Sequence, residues 1–408
     1  MIKRGVGLAS GVTLALAAAT MPGPAGLASA AQGVPAVSTP VAWVANQSVR
    51  SATKGSVTTI DTATSTVIKN IPLSRNALAV ALTPDGKTAY VALNASRLGG
   101  RGAVVPVSTS TYKVGKPVRV GILPAAMLIM PNGRTVYVAD FDSGTVTPIR
   151  TATGTAGRPI KTGPIPVVVA MAITPNGKTV YVVNEAPGTV TPIDTATNTA
   201  GKNIKAGVTP SSIVITPNGK TAYVLNLARG VSGKGTVTPI NTATNTVGKN
   251  IKAGTFPDAL NLLVITPSGK TLYAVGNTAV IPIDTATNTA RPTIRVAPRH
   301  GQDFTTAIAP DGSTVYVGGG LGPRFTRGFV VPVSTATGTV GKAIVFRGLP
   351  SVMALTPDGK MLYVVCNGSV DNPQDVVPIN TTTNTAGRPI NTGLQPVAIA
   401  ITGSHQQR

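Results

Sequence analysis

The chain has 408 residues, 42% hydrophobic, 4% aromatic and 12% charged, with a formal net charge of +22 and Glu185 as its one glutamate. That length is ample for a large core, and the single cysteine, Cys366, excludes an internal disulfide framework. The two histidines, His300 and His405 in the C-terminal tail, cannot build a multi-histidine copper or iron centre, and no cysteine pair exists for zinc or haem attachment, so no cofactor is expected.

In chain order, Lys3 and Arg4 precede an apolar run from Val6 to Ala19, then come Pro22, Pro24 and the small trio Ala28-Ser29-Ala30. This is the pattern of a secretory signal peptide cleaved before Ala31. The run is short for a transmembrane helix, and no later one approaches spanning length. The expected organisation is a signal peptide at 1–30, a short tail at 31–40, one folded unit at 41–402 and a tail at 403–408, exported as a secreted or surface monomer.

The folded unit is built on a repeat of about 45 residues. Trp43-Val-Ala-Asn46 opens an incomplete first copy, with strands expected at 57–61 and 66–71. Seven fuller copies follow, each with a Pro, then Asp, Asn or Ser, then Gly, beginning at Pro84, Pro131, Pro175, Pro217, Pro267, Pro310 and Pro357. A Tyr opening an apolar run follows each (Tyr90, Tyr137, Tyr181, Tyr223, Tyr273, Tyr316, Tyr363), and then an apolar-Pro-apolar step at Pro106, Pro148, Pro192, Pro239, Pro282, Pro332 and Pro378.

One copy resolves into four strands: 168–174, 180–184, 188–194 and 199–205. The first is apolar throughout, as a strand buried on both faces should be. Pro175-Asn176-Gly177 supplies a tight turn. Pro192 cannot donate to a ladder, so the third strand either bulges there or turns that position away from its neighbour. The fourth strand is polar and basic, as an outermost strand should be. Four-stranded antiparallel units in tandem predict an all-β, eight-bladed β-propeller. The spare strand at 397–402 completes the first copy and closes the ring; a seven-bladed ring with one unit displaced is the alternative.

Tyr181-Val-Val-Asn184, with Pro175-Asn-Gly-Lys178 before it and Val190-Thr-Pro-Ile-Asp194 after it, resembles the YVTN-type β-propeller repeat. Tyr137-Val-Ala-Asp140 and Tyr223-Val-Leu-Asn226 are close variants; Tyr273-Ala-Val-Gly276 and Tyr316-Val-Gly-Gly319 depart from it. The resemblance implies an exported or surface bacterial protein, of a family mostly without an assigned reaction and commonly seven-bladed.

The topology puts the Pro-Asp-Gly turns and the Asp-Thr-Ala-Thr hairpins on one face and the variable loops on the other. Binding chemistry sits preferentially on such loops. The candidate ligand-binding residues are therefore Arg97, Arg101, Glu185, Arg229, Lys234, Arg299, His300, Asp303, Phe304, Arg324 and Arg327. Arginine offers phosphate or carboxylate a bidentate fork. Cations also lie on outer strands and turns (Lys202, Lys205, Lys249, Lys252, Lys178, Lys220), where solvation and edge protection would also put them.

The expected function is a binding scaffold, with two rivals. A metal-assisted, lactonase-like hydrolase would draw on Glu185, Asp303, Asp140, Asp142 and Asn367, although nothing in their spacing selects them. An electrostatic binder of anionic wall polymer, polysaccharide or nucleic acid would use the charge itself. The partner is then an anionic extracellular polymer or another surface protein. Recurring Asp61, Asp194 and Asp284 read better as hairpin caps than as calcium ligands, because Arg150 stands at the matching place in another copy. Cys366 reads as a buried strand thiol.

Overall fold

The structure is a computed structural model that describes residues 39–48, 54–95, 99–163, 168–227, 234–255, 260–276, 279–296, 305–321, 327–366 and 374–403. Its strands form eight antiparallel sheets, one per repeat, arranged as an eight-bladed β-propeller. Blade 4 shows the plan. Val168–Ile173 is innermost, followed by Thr179–Asn184 and Thr189–Asp194, and the outermost place is shared by Thr199–Ala200 and Ile204–Lys205. Blade 1 is closed by the C-terminus: Gln395–Ile401 pairs with Val41–Gln47, which pairs with Ser56–Asp61 and through it with Thr66–Pro72. Each innermost strand touches the next around the ring, so the count is eight.

The core lies between blades. Within Thr179–Asn184, Val180 and Val182 pack toward blade 3 with Tyr137, while Tyr181 and Val183 pack toward blade 5 with Ile213 and Ile215. Period-two alternation therefore splits one strand between two cores, which is why these strands are apolar at every position.

The proline step shapes the outer edge. Pro192 pairs in register with Tyr181, so the third strand does not bulge there. Its carbonyl accepts the Gly201 N–H at 2.8 Å from the outer strand. Pro192 therefore turns its missing donor outward, and the fourth strand, expected to be continuous, breaks into two pieces beside it. A Cβ on Gly201 would lie 3.2 Å from the Pro192 ring, and Gly115, Gly157, Gly248, Gly341 and Gly387 face Pro106, Pro148, Pro239, Pro332 and Pro378 at 2.8–3.2 Å. Blade 1 has Thr59 in the proline's place, opposite Trp43. There the bulge residue is Ile68, and Thr66–Pro72 runs unbroken.

Two side chains of the repeat lock blades together on opposite faces. On the turn face, the Tyr137, Tyr181 and Tyr223 hydroxyls donate at 2.7 Å to Oδ1 of Asn198, Asn245 and Asn288, each in the next blade's hairpin. Burial pushes these three phenols up to about 12. Tyr363 meets Ser65 of blade 1 at 2.9 Å. The receiving hairpin residue has positive φ in every blade: Ser65, Tyr112, Gly154, Asn198, Asn245, Asn288, Gly338 and Asn384. Where Trp43 replaces the tyrosine, its partner is the ring of Tyr112, with centroids 5.9 Å apart.

On the loop face, the second strand ends in buried Asn46, Asn184 and Asn226. Asn184 Nδ2 donates to the preceding blade's Thr162 carbonyl at 3.1 Å and to Thr191 Oγ1 at 2.8 Å, and Thr191 in turn donates to Thr162. Asn226 likewise donates to Thr238 and Asn46 to Thr58, and there the threonine crosses to the preceding blade, at the Ala206 and Thr392 carbonyls.

Candidate binding surfaces

Of the loop-face candidates, Arg97, Arg229, Arg299, His300, Asp303, Phe304 and Arg324 lie outside the described residues, as does Asn367. The remainder occupy different blades. Arg101 begins the third strand of blade 2, Glu185 follows Thr179–Asn184, Lys234 begins Lys234–Asn241, and Arg327 begins Arg327–Ser334. Arg327 stands directly opposite Arg347, a pair of like charges across one ladder.

Arg101 has a definite structural task. Its Nε donates to the Val120 carbonyl at 3.0 Å. In blade 4 the matching carbonyl, Thr162, takes the Thr191 hydroxyl. The difference follows from Asp140, which replaces the asparagine in blade 3. Its carboxylate accepts Thr147 Oγ1 at 2.6 Å, Thr145 Oγ1 at 3.0 Å and the Gly121 N–H at 2.9 Å. With Thr147 turned to the carboxylate, Arg101 covers the vacated carbonyl and lends its charge to Asp140. Burial outweighs these favourable contacts and pushes the Asp140 carboxyl up to about 6.

Of the hydrolase candidates, Asp303 and Asn367 lie outside the described residues. Three donors already occupy Asp140, and Glu185 belongs to another blade. Among the described residues no group of three His, Cys, Asp or Glu gathers. Cys366 is buried in Met361–Cys366, and burial pushes its thiol up to about 12, the state of an inert core sulfur. Asp194 and Asp284 cap their hairpins, accepting the Ala196, Thr197, Ala286 and Thr287 amides at 2.9–3.1 Å.

The feature that repeats is on the rim. In blades 2 to 6 the outer strand carries two cations close to an inward apolar residue (Val118, Ile160, Ile204, Ile251 or Ile294): Lys116 and Arg119, Arg158 and Lys161, Lys202 and Lys205, Lys249 and Lys252, Arg291 and Arg295. All ten are exposed. The register is fixed, since Lys161, Lys205 and Arg295 stand opposite Thr145, Thr189 and Ala279, the residues that begin their third strands. Each of these outer strands up to blade 5 touches the outer edge of the next blade, so the cations form one arc. The Arg291–Asp284 contact at 2.7 Å is the one salt bridge among the described residues. Sequence reasoning noticed the outer-strand lysines but could not see that adjoining blades bring them into a row.

No family model matches the chain, and no curated protein matches it. Solved structures do, at the level of fold. A chain of Kuenenia stuttgartiensis hydrazine synthase is similar at 21% identity and a TM-score of 0.56, over 75% of this chain and 95% of that one. The dihydro-haem d1 dehydrogenase NirN, in complex with DHE, is similar at 14% identity and 0.66, over 94% and 79%. A functionally unknown protein from Desulfotomaculum acetoxidans DSM 771 is similar at 17% identity and 0.55, over 89% and 99%. These likenesses establish the β-propeller fold and carry no chemistry to this chain.

Proposed function

We propose that this protein is an exported propeller of the YVTN-repeat type whose rim binds linear polyanions, as an electrostatic scaffold and not as an enzyme. The observation that carries the reading is the arc of ten exposed cations at repeated positions in five successive blades, with one of them, Arg291, neutralised by a salt bridge among the described residues. A row of cations matches a polymer with a charge on each unit, whereas an isolated small anion would call for a concave cluster. Wall polymers with phosphodiester backbones are the partner class that an exported protein of this charge would meet. The test is titration with poly(glycerol phosphate) and with neutral dextran. The expected result is binding to the first alone, with log K falling linearly with log salt as several counterions are released. Equal binding to dextran, or an affinity indifferent to salt, contradicts the proposal.

A further inference from the structure

The turn face holds a cleft separate from the rim. Around the ring, eight hairpins present a residue to the preceding blade's aromatic side chain. Two of these residues are glycines, Gly154 and Gly338. At Gly338 the space is taken: a Cβ there would lie 3.2 Å from Ile294 Cδ1. At Gly154 a Cβ would meet nothing within 4 Å. By its place in the repeat, the tyrosine that corresponds to this hairpin is Tyr90, whose ring is buried and whose hydroxyl has no hydrogen-bond partner among the described residues. Between blades 2 and 3 lies a cleft of about 380 Å³, lined by Tyr90, Asp85, Thr83, Asn132, Thr151 and the ring of Pro84 among others. That volume falls within the ≈ 300–1,000 Å³ of small-molecule sites.

We propose that this cleft binds a neutral carboxamide, such as the acetamido group of an N-acetylated sugar. The chemistry is fixed by the sister interfaces. There an asparagine carboxamide oxygen accepts the tyrosine hydroxyl at 2.7 Å, and here that oxygen is missing. A ligand amide supplies it. The amide N–H then points to Asp85, whose Oδ1 already accepts Thr83 Oγ1 at 2.6 Å and the Lys87 N–H at 3.1 Å, leaving Oδ2 open. Those two donors hold the Asp85 carboxyl below its usual range, so it is anionic at neutral pH. It therefore repels carboxylate and phosphate ligands and selects a neutral donor. The Pro84 ring offers an apolar wall to the rest of a sugar.

The experiment is saturation-transfer NMR on the full chain with N-acetylglucosamine, with glucose as the control. The expected result is transfer concentrated on the acetyl methyl, with none to glucose. Gly154→Asn should abolish it, because asparagine accepts the same backbone at Asn198 (φ 55°, against 62° at Gly154) and would fill the gap with its own carboxamide. Should that variant misfold, Tyr90→Phe serves, and loss of most of the signal is expected. No transfer to the wild type, equal transfer to glucose, or a signal unchanged in the folded variants overturns the proposal. Rim binding of poly(glycerol phosphate) should be the same in both variants, so the two readings fail separately.

Discussion

Blade 1 and blades 2 to 6 share a fold but differ at the edge. Blade 1 has Thr59 in place of the proline, Ile68 in place of the bulge glycine, and an unbroken outer strand on which Val67 and Ile68 are exposed and Lys69 is the one cation. The other five have the proline and a broken outer strand with two cations, and all but blade 6, where Arg291 takes the place, have the glycine. The difference teaches that the proline shapes more than its own strand. By withholding a donor and crowding a Cβ it favours glycine at the bulge opposite, although blade 6 holds Arg291 against Pro282, and the polar, cationic edge accompanies it. Blade 1 closes the ring without that device and lies beyond the blade 2 end of the charged arc.

The comparison can be broken in several ways, from the largest expected effect down. Gly201→Val should destabilise blade 4 by about 1–3 kcal/mol in chemical denaturation, because its Cβ meets Pro192. Adding Pro192→Thr, which copies blade 1, should recover most of the loss; no recovery would mean the glycine is needed for another reason. Asp140→Asn tests the loop-face lock. The folded-state carboxyl stands at about 6, above the ordinary 3.8, so its contribution to stability is full below that ordinary value and is lost as pH rises through about 6. The variant should therefore be more stable than the wild type at pH 7, by about 1–3 kcal/mol, and the gap should close toward pH 4. Tyr181→Phe should cost about 1 kcal/mol by removing the bond to Asn245, whereas Tyr273→Phe, whose hydroxyl has no partner among the described residues, should cost nearly nothing.

Much of this was legible in the sequence because a repeat reports its own period. The strand before each Pro-Asp-Gly turn, the Tyr strand and the closing strand near 397–402 all stand where the pattern put them. The fourth strand did not. Its break depends on the geometry of Pro192 across the ladder, which periodicity alone does not encode. The locks were hidden for a different reason. Tyr137 and Asn198 are 61 residues apart, and Tyr223 and Asn288 are 65 apart, so the partners belong to different copies. The turn face looked uniform in sequence. The exchange of Asn for Gly at Gly154 acquires meaning only once Tyr90 and the neighbouring hairpin residues Thr151 and Ala152 are seen to line one cleft. Of the loop-face candidates named by chemistry alone, Arg101 and Glu185 belong to different blades, and most of the others lie outside the described residues.

The central claim is that the position of the charge, and not its sum, makes the binding surface. Two quadruple variants with identical net charge decide it. One replaces rim residues Lys202, Lys205, Lys249 and Lys252 with Glu; the other replaces the exposed turn-face residues Lys178, Lys220, Lys270 and Lys360 with Glu. Titrated with poly(glycerol phosphate) at fixed salt, the rim variant should lose more than about tenfold in affinity and show a shallower salt slope, while the turn-face variant stays within about threefold of the wild type. Equal losses in the two would show that diffuse charge does the binding and that the arc is only solvation.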